Sequence, residues 1–109
     1  MNIMSKEELR QKIERGDDFK LINSLDRTAF DRMHIPGSLH FDDINEAVRQ
    51  IDPDEEVILY CSNPLCPASV QAYRALELQG FTRLFRYAGG LTEWVEAGYP
   101  LVGSEVPIQ

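Results

Sequence analysis

The chain has 109 residues, of which 43% are hydrophobic, and this is enough apolar material for the core of one domain. Its 18 acidic and 11 basic residues give a formal charge of -7, so the surface as a whole repels nucleic acids and anionic membranes. We therefore expect a single domain over residues 1–109 that binds neither nucleic acid nor membrane. Small anions stay admissible as ligands, because local backbone N–H groups can bind them on an acidic protein.

Capping and apolar spacing predict a helix and a strand at the start of the chain. Ser5 and Glu8 have the spacing of a capping box, and apolar residues then recur four positions apart, so residues 5–15 should form a helix. A buried strand is predicted at 19–23, where a short apolar run gives way to polar residues. The other elements predicted in this half are short helices at 28–33 and 43–50, with a Pro-Gly turn and an extended segment at 34–41 between them.

The second half of the chain centres on the run Val-Ile-Leu-Tyr-Cys at 57–61. Its β-branched and aromatic residues show no polar alternation, which is typical of a parallel strand buried on both faces. Pro67 suits the first position of the next helix, which the apolar spacing carries as far as Gly80. Residues 81–87 should form a further strand and 91–97 a short helix. This alternation predicts an α/β fold in which a central parallel sheet is flanked by helices on both faces.

The composition also favours a reducing compartment. The apolar runs are far shorter than the ~20 residues of a membrane-spanning helix, and residues 1–8 lack the basic and apolar regions of a secretory signal. We therefore expect a soluble, cytoplasmic protein. Its two cysteines, Cys61 and Cys66, are too few for a disulfide scaffold, and no second Cys/His pair indicates zinc. No metal and no cofactor are expected.

Cys61 is the residue best placed for chemistry. It ends the predicted central strand, and a helix follows about six residues later, so its sulfur should lie at the carboxyl edge of a parallel sheet near a helix N-terminus. Loop N–H groups and the positive end of the helix dipole both favour a thiolate at such a position, and a thiolate is a nucleophile. The alternative is an inert core thiol, because cysteine is among the most buried residue types.

Several segments of the chain occur in an order that resembles rhodanese domains. They are the stretch Phe-Asp-Arg-Met-His-Ile-Pro-Gly-Ser at 30–38, then Cys61, Gly80-Phe81, Gly89-Gly90 with Trp94, and Ala-Gly-Tyr-Pro at 97–100. The resemblance implies a rhodanese-like α/β fold. It also implies that Cys61 accepts sulfane sulfur as a persulfide and passes it to a nucleophilic acceptor. The implied partners are a small sulfur donor or a protein persulfide, and a thiol acceptor.

The loop after Cys61 departs from the family's pattern. Family members usually have arginine and glycine in this loop, and neither occurs here. A second departure lies at 23–25, where the strand that usually ends in Asp-Val-Arg ends in Asn-Ser-Leu. We expect the loop to cradle an anion or persulfide through backbone N–H groups alone. Thiosulfate should then be a poor donor, because charge-assisted contacts of about 1.5–3 kcal/mol each are missing. Phosphatase chemistry is set aside for the same lack of an arginine clamp. The loop consists of Ser62, Asn63, Pro64, Leu65 and Cys66, with no basic residue.

Cys66 stands at the far end of this loop, about where the N-cap of the next helix is predicted. It is a candidate resolving thiol, which would attack the inner sulfur of a Cys61 persulfide, release sulfide and leave a disulfide. This requires the two Cα atoms to come within about 7 Å of each other. The alternative is a small packed side chain without reactivity.

Three functions remain open from the sequence. They are a sulfurtransferase or persulfide carrier that uses Cys61, a thiol redox protein that cycles Cys61 and Cys66, and a catalytically silent rhodanese-like binding module. The missing loop arginine keeps the third in consideration. Arg83 and Arg86 lie on a predicted strand and are expected to be surface charges rather than an anion site.

Overall fold

The structure is a computed structural model that describes residues 1–106, so the last three residues of the predicted domain, 107–109, lie outside the described residues. Within the described part, five parallel strands form one sheet in the order β1-β5-β4-β2-β3. The strands are β1 (Ile3–Met4), β2 (Lys20–Asn23), β3 (Leu39–His40), β4 (Val57–Tyr60) and β5 (Leu84–Tyr87). The helices are α1 (Lys6–Arg15), α2 (Arg27–Arg32), α3 (Ile44–Gln50), α4 (Ala68–Leu78) and α5 (Gly90–Glu96).

Strand β4 is the centre of the sheet and is buried along its whole length. Alternate residues point to opposite faces of a strand. Ile58 and Tyr60 therefore pack with residues of α1 and α5, whereas Val57 and Leu59 pack with residues of α3 and α4. Each face of the sheet thus has its own apolar core and its own helices, and the predicted α/β class with helices on both faces is confirmed.

The helix boundaries follow the capping residues closely. The Ser5 side chain accepts from the amide of Glu8 at the start of α1, and the capping box that the sequence predicts is complete. Helix α4 differs from prediction, since Pro67 is its N-cap rather than its first residue and Cys66 lies one position before the cap. In the described part of the chain, no helix has both the length and the apolar character needed to cross a membrane.

Strand β1 was not predicted from the sequence. Its residues Ile3 and Met4 pair in parallel with Arg86 and Tyr87 at the edge of the sheet, and the amide of Arg86 donates to the Asn2 carbonyl at 2.8 Å. A strand of two residues with one buried side chain is too short to produce a periodic pattern. It nevertheless fixes the backbone of β5 from the outer side.

Candidate active site

Cys61 follows β4 directly, at the carboxyl edge of the sheet, and is 1% exposed. The amide of Ser24, the residue after β2, donates to the Tyr60 carbonyl at 2.9 Å, so the β2–β4 ladder continues to the position of the cysteine. Helix α4 begins seven residues after Cys61 with Ala68. The sequence-based position of the sulfur, at a strand end and close to a helix N-terminus, agrees with the structure.

The structure joins Cys61 and Cys66 in a disulfide, with the two Cα atoms 6.3 Å apart. This separation lies within the limit of about 7 Å that the resolving role requires. Cys66 is half-buried, and in the described chain neither cysteine is free. The candidate nucleophile and the candidate resolving thiol therefore share one site, here in its oxidised form.

The loop between the two cysteines is organised by Asn63. Its side-chain oxygen accepts from the amide of Leu65 at 2.9 Å, and its carbonyl accepts from the amide of Cys66 at 3.2 Å. These amides are thus engaged within the loop, and Pro64 has no N–H group. The amides of Ser62 and Asn63 donate no hydrogen bond to any described residue, and they remain the candidates for cradling a bound sulfur or anion.

Helix α5 holds the Cys61 end of the loop. The amide of Leu91 donates to the Cys61 carbonyl at 3.0 Å, and the amide and hydroxyl of Thr92 both donate to the Ser62 carbonyl at 2.9 Å. Gly90 has a φ of +66°, and a Cβ there would lie 2.7 Å from the Cys61 carbonyl oxygen. Only glycine permits this approach, which gives the Gly-Gly turn a role in positioning the reactive loop.

Arg86 corrects a prediction. It is not a surface charge: the residue is 9% exposed, and its guanidinium donates to the Ser69 hydroxyl at 2.9 Å and to the Pro64 carbonyl at 3.2 Å. No carboxylate among the described residues lies within 4.0 Å of it, whereas Arg83 is exposed and pairs with Glu56. A cation from β5 therefore reaches the loop, although the loop itself contains none.

Two polar residues follow one another at the end of β2, Asn23 on the face of Tyr60 and Ser24 on the face of Cys61. Asn23 is buried, and its amide donates to the Tyr60 hydroxyl at 3.0 Å, which also receives the amide of Ile35 at 3.0 Å. Burial raises the pKa of the Tyr60 hydroxyl above its usual value, so this hydroxyl stays neutral. The hydroxyl oxygen of Ser24 is buried without a hydrogen-bond partner in the described chain.

Ser24, Cys61 and Arg86 share one face of the sheet. Arg86 pairs with Leu59, and the ladder that pairs Asn23 with Tyr60 places Ser24 next to Cys61. Side-chain alternation then directs all three side chains toward α3 and α4. The sequence analysis did not identify Arg86 and Ser24 as residues of the site. For the arginine a signal was present, because Arg86 lies two positions after the apolar Leu84 and alternate residues of a strand share one face. In the described chain, no group of three or more His, Cys, Asp or Glu side chains is arranged to hold a metal.

Comparison with known proteins agrees with this fold. A family model described as the rhodanese-like domain matches residues 5–97, so the chain belongs to the rhodanese-like family. The thiosulfate sulfurtransferase GlpE of Pseudomonas syringae pv. syringae is 33% identical over 76 residues, which cover 68% of this chain and 70% of that protein. A protein of Allochromatium vinosum named sulfurtransferase is 27% identical over 107 residues, which cover 96% of this chain and 98% of that one.

A solved structure shows the same fold. The solution NMR structure of a rhodanese-like domain from an Anabaena protein has a TM-score of 0.86 and 22% sequence identity. The match covers 100% of this chain and 86% of that chain. The resemblance that the sequence motifs indicate is therefore confirmed for family and fold.

Proposed function

We propose that this protein is a sulfurtransferase or persulfide carrier that accepts sulfane sulfur on the thiolate of Cys61 and passes it to a thiol acceptor. The observation that carries the proposal is the position of Cys61, at the carboxyl end of the central strand and on the same face as a buried arginine. The sulfurtransferase names of its relatives support the same class of reaction. The proposed donors are a small sulfur compound or a protein persulfide, met in a reducing, cytoplasmic setting.

The chemistry of loading requires the reduced form of the site. A reductant first opens the Cys61–Cys66 disulfide. The Cys61 thiolate then attacks the outer sulfur of the donor, a new S–S bond forms on Cys61, and the remainder of the donor leaves with the electron pair of the broken bond. The buried guanidinium of Arg86 favours the anionic sulfur before and after this step.

Intact-protein mass tests the proposal directly. We expect the reduced protein to gain the mass of one sulfur atom on Cys61 after exposure to an organic persulfide. The Cys66→Ala variant is the better form for this experiment, because it lacks the thiol that could remove the persulfide again. A variant that keeps its original mass with every sulfur donor would contradict the proposed function and would favour a silent binding module.

The disulfide gives specific support to a second candidate function, a thiol redox protein that cycles Cys61 and Cys66. Such a protein would lose two hydrogen atoms on mild oxidation and return them to a dithiol or disulfide partner. It would do so without gaining sulfur from any donor. Intact-protein mass of reduced wild type after mild oxidation, compared with the mass of Cys66→Ala after exposure to sulfur donors, therefore separates the two functions.

Cys66 is proposed to resolve the Cys61 persulfide. Its thiolate would attack the inner sulfur, form the disulfide seen in the structure and release the outer sulfur as hydrosulfide with the electron pair. We expect wild-type persulfide to release sulfide without any added thiol, and Cys66→Ala to hold its persulfide at least about tenfold longer, because a tethered thiol acts at high effective concentration. Equal lifetimes of the two persulfides would contradict a resolving role.

A further inference from the structure

A cavity of about 330 Å³ lies between α3 and α4, close to the reactive loop. Its floor is the end of β2, and its walls come from facing residues of the two helices. On α4 the wall consists of three alanines at helical spacing, which leave the gap open, and of the uncharged amide side chain of Gln71. None of the side chains that line the cavity is charged. The principal lining residues are Ile22, Ser24, Ile44, Ala68, Ala72 and Ala75.

The cavity approaches the cysteines at two points. Ser24 lines it and lies beside Cys61 across the ladder, at the strand spacing of about 4.8 Å. Ala68 lines it and follows Cys66 by two residues. The Ser24 hydroxyl oxygen is buried and has no hydrogen-bond partner among the described residues. Burying an unpaired hydroxyl costs folding free energy, and a hydrogen bond to a bound group would offset that cost.

We propose that this cavity binds the uncharged, apolar carbon group of an organic persulfide donor, and that the Ser24 hydroxyl donates to the thiolate that leaves from it. This inference rests on the proposed function and names its substrate class. The volume is at the lower end of known ligand pockets and fits a group of about the size of a benzyl ring. A lining without charged side chains offers nothing to a dianion such as thiosulfate.

The transfer step balances without a further reagent. For a donor R–S–SH, the Cys61 thiolate bonds to the terminal sulfur, which keeps its proton, and the bond between the two donor sulfurs breaks. The products are a Cys61 persulfide and the thiolate R–S⁻, which takes the electron pair. Negative charge thus moves from Cys61 onto the leaving sulfur. The Ser24 hydroxyl is buried, so its side chain must turn toward the cavity to donate to this sulfur, and the hydrogen bond strengthens as the charge arrives.

The test compares benzyl persulfide with methyl persulfide as donors for the reduced Cys66→Ala protein, with loading rates followed by intact mass. We expect the benzyl donor to load at least about tenfold faster, since apolar groups of this size discriminate by that much in a fitted pocket. In the same background, Ala72→Phe fills the cavity and should bring the loading rate of the benzyl donor down to that of the methyl donor. Leu78→Phe, on an exposed position of the same helix, is the matched control and should keep the preference.

The role of the hydroxyl has its own readout. Ser24→Ala should slow loading most with donors that release the most basic thiols, whereas Ser24→Thr, which keeps a hydroxyl, should restore the wild-type dependence on thiol basicity. Loading of the Cys66→Ala protein at equal rates by the two donors would overturn the cavity proposal and leave the proposed function intact. Failure of both donors to load would overturn the proposed function and this inference with it.

Discussion

Cys61→Ser is expected to lower the rate of persulfide formation by more than about 10³-fold, because the nucleophile itself is removed. Serine is close to cysteine in size, so we expect the loss without unfolding even though a hydroxyl replaces a thiol that is 1% exposed. The measurement is the rate at which the reduced protein gains one sulfur atom. Circular dichroism of the variant shows whether the fold is kept.

The matched control is Cys66→Ser, which removes the second sulfur of the site and leaves the first. This variant should load at close to the wild-type rate and keep its sulfur. Normal loading of Cys61→Ser would identify Cys66 as the primary acceptor and reverse the two roles. The oxidised wild-type protein should not load at all, since the disulfide occupies both sulfurs.

Arg86→Met is expected to lower the loading rate at neutral pH by about tenfold. The guanidinium is buried and no described carboxylate pairs with it, so under the proposed function we expect it to stabilise an anionic sulfur at Cys61. Without the cation, the thiolate forms only at higher pH. In a Cys66→Ser background, the pH of half-maximal alkylation of Cys61 should therefore rise by about one unit.

A purely structural role of Arg86 predicts a different result. The arginine also donates to the Ser69 hydroxyl and the Pro64 carbonyl, so its loss could disturb the loop without any electrostatic effect. In that case the rate would fall while the alkylation profile stayed at its original pH. Arg86→Lys separates the two effects further, because lysine keeps the positive charge but lacks the planar set of N–H donors of the guanidinium. This variant should retain most of the wild-type pH profile of alkylation.

The sequence predicted the parts of the fold that depend on local patterns. The continuous apolar run of β4 and the capping box of α1 are such patterns, and both were found in place. The position of Cys61 followed from the same run, because the end of a buried parallel strand is also the edge of the sheet. The proximity of Cys66 was stated as a geometric condition, and its Cα lies within the required distance.

Arg86 could not be placed by the same reasoning, because its burial depends on contacts far apart in sequence. An arginine on a short strand is usually a surface charge. Here its partners come from the loop before α4 and from the first turn of that helix, and only the three-dimensional fold brings Pro64 and Ser69 to it. The polar side chains of the site, Ser24 and Arg86, therefore come from neighbouring strands, whereas the loop contributes backbone amides.

The two-residue strand β1 connects the beginning of the chain with this environment. It covers the outer edge of β5 and pairs with Arg86 itself. Without residues 1–4, β5 would become an edge strand with unpaired backbone groups, which both invites association with other chains and loosens the strand. A truncation that leaves every residue of the loop intact should therefore lower the rate of persulfide formation, because it loosens the strand that carries Arg86.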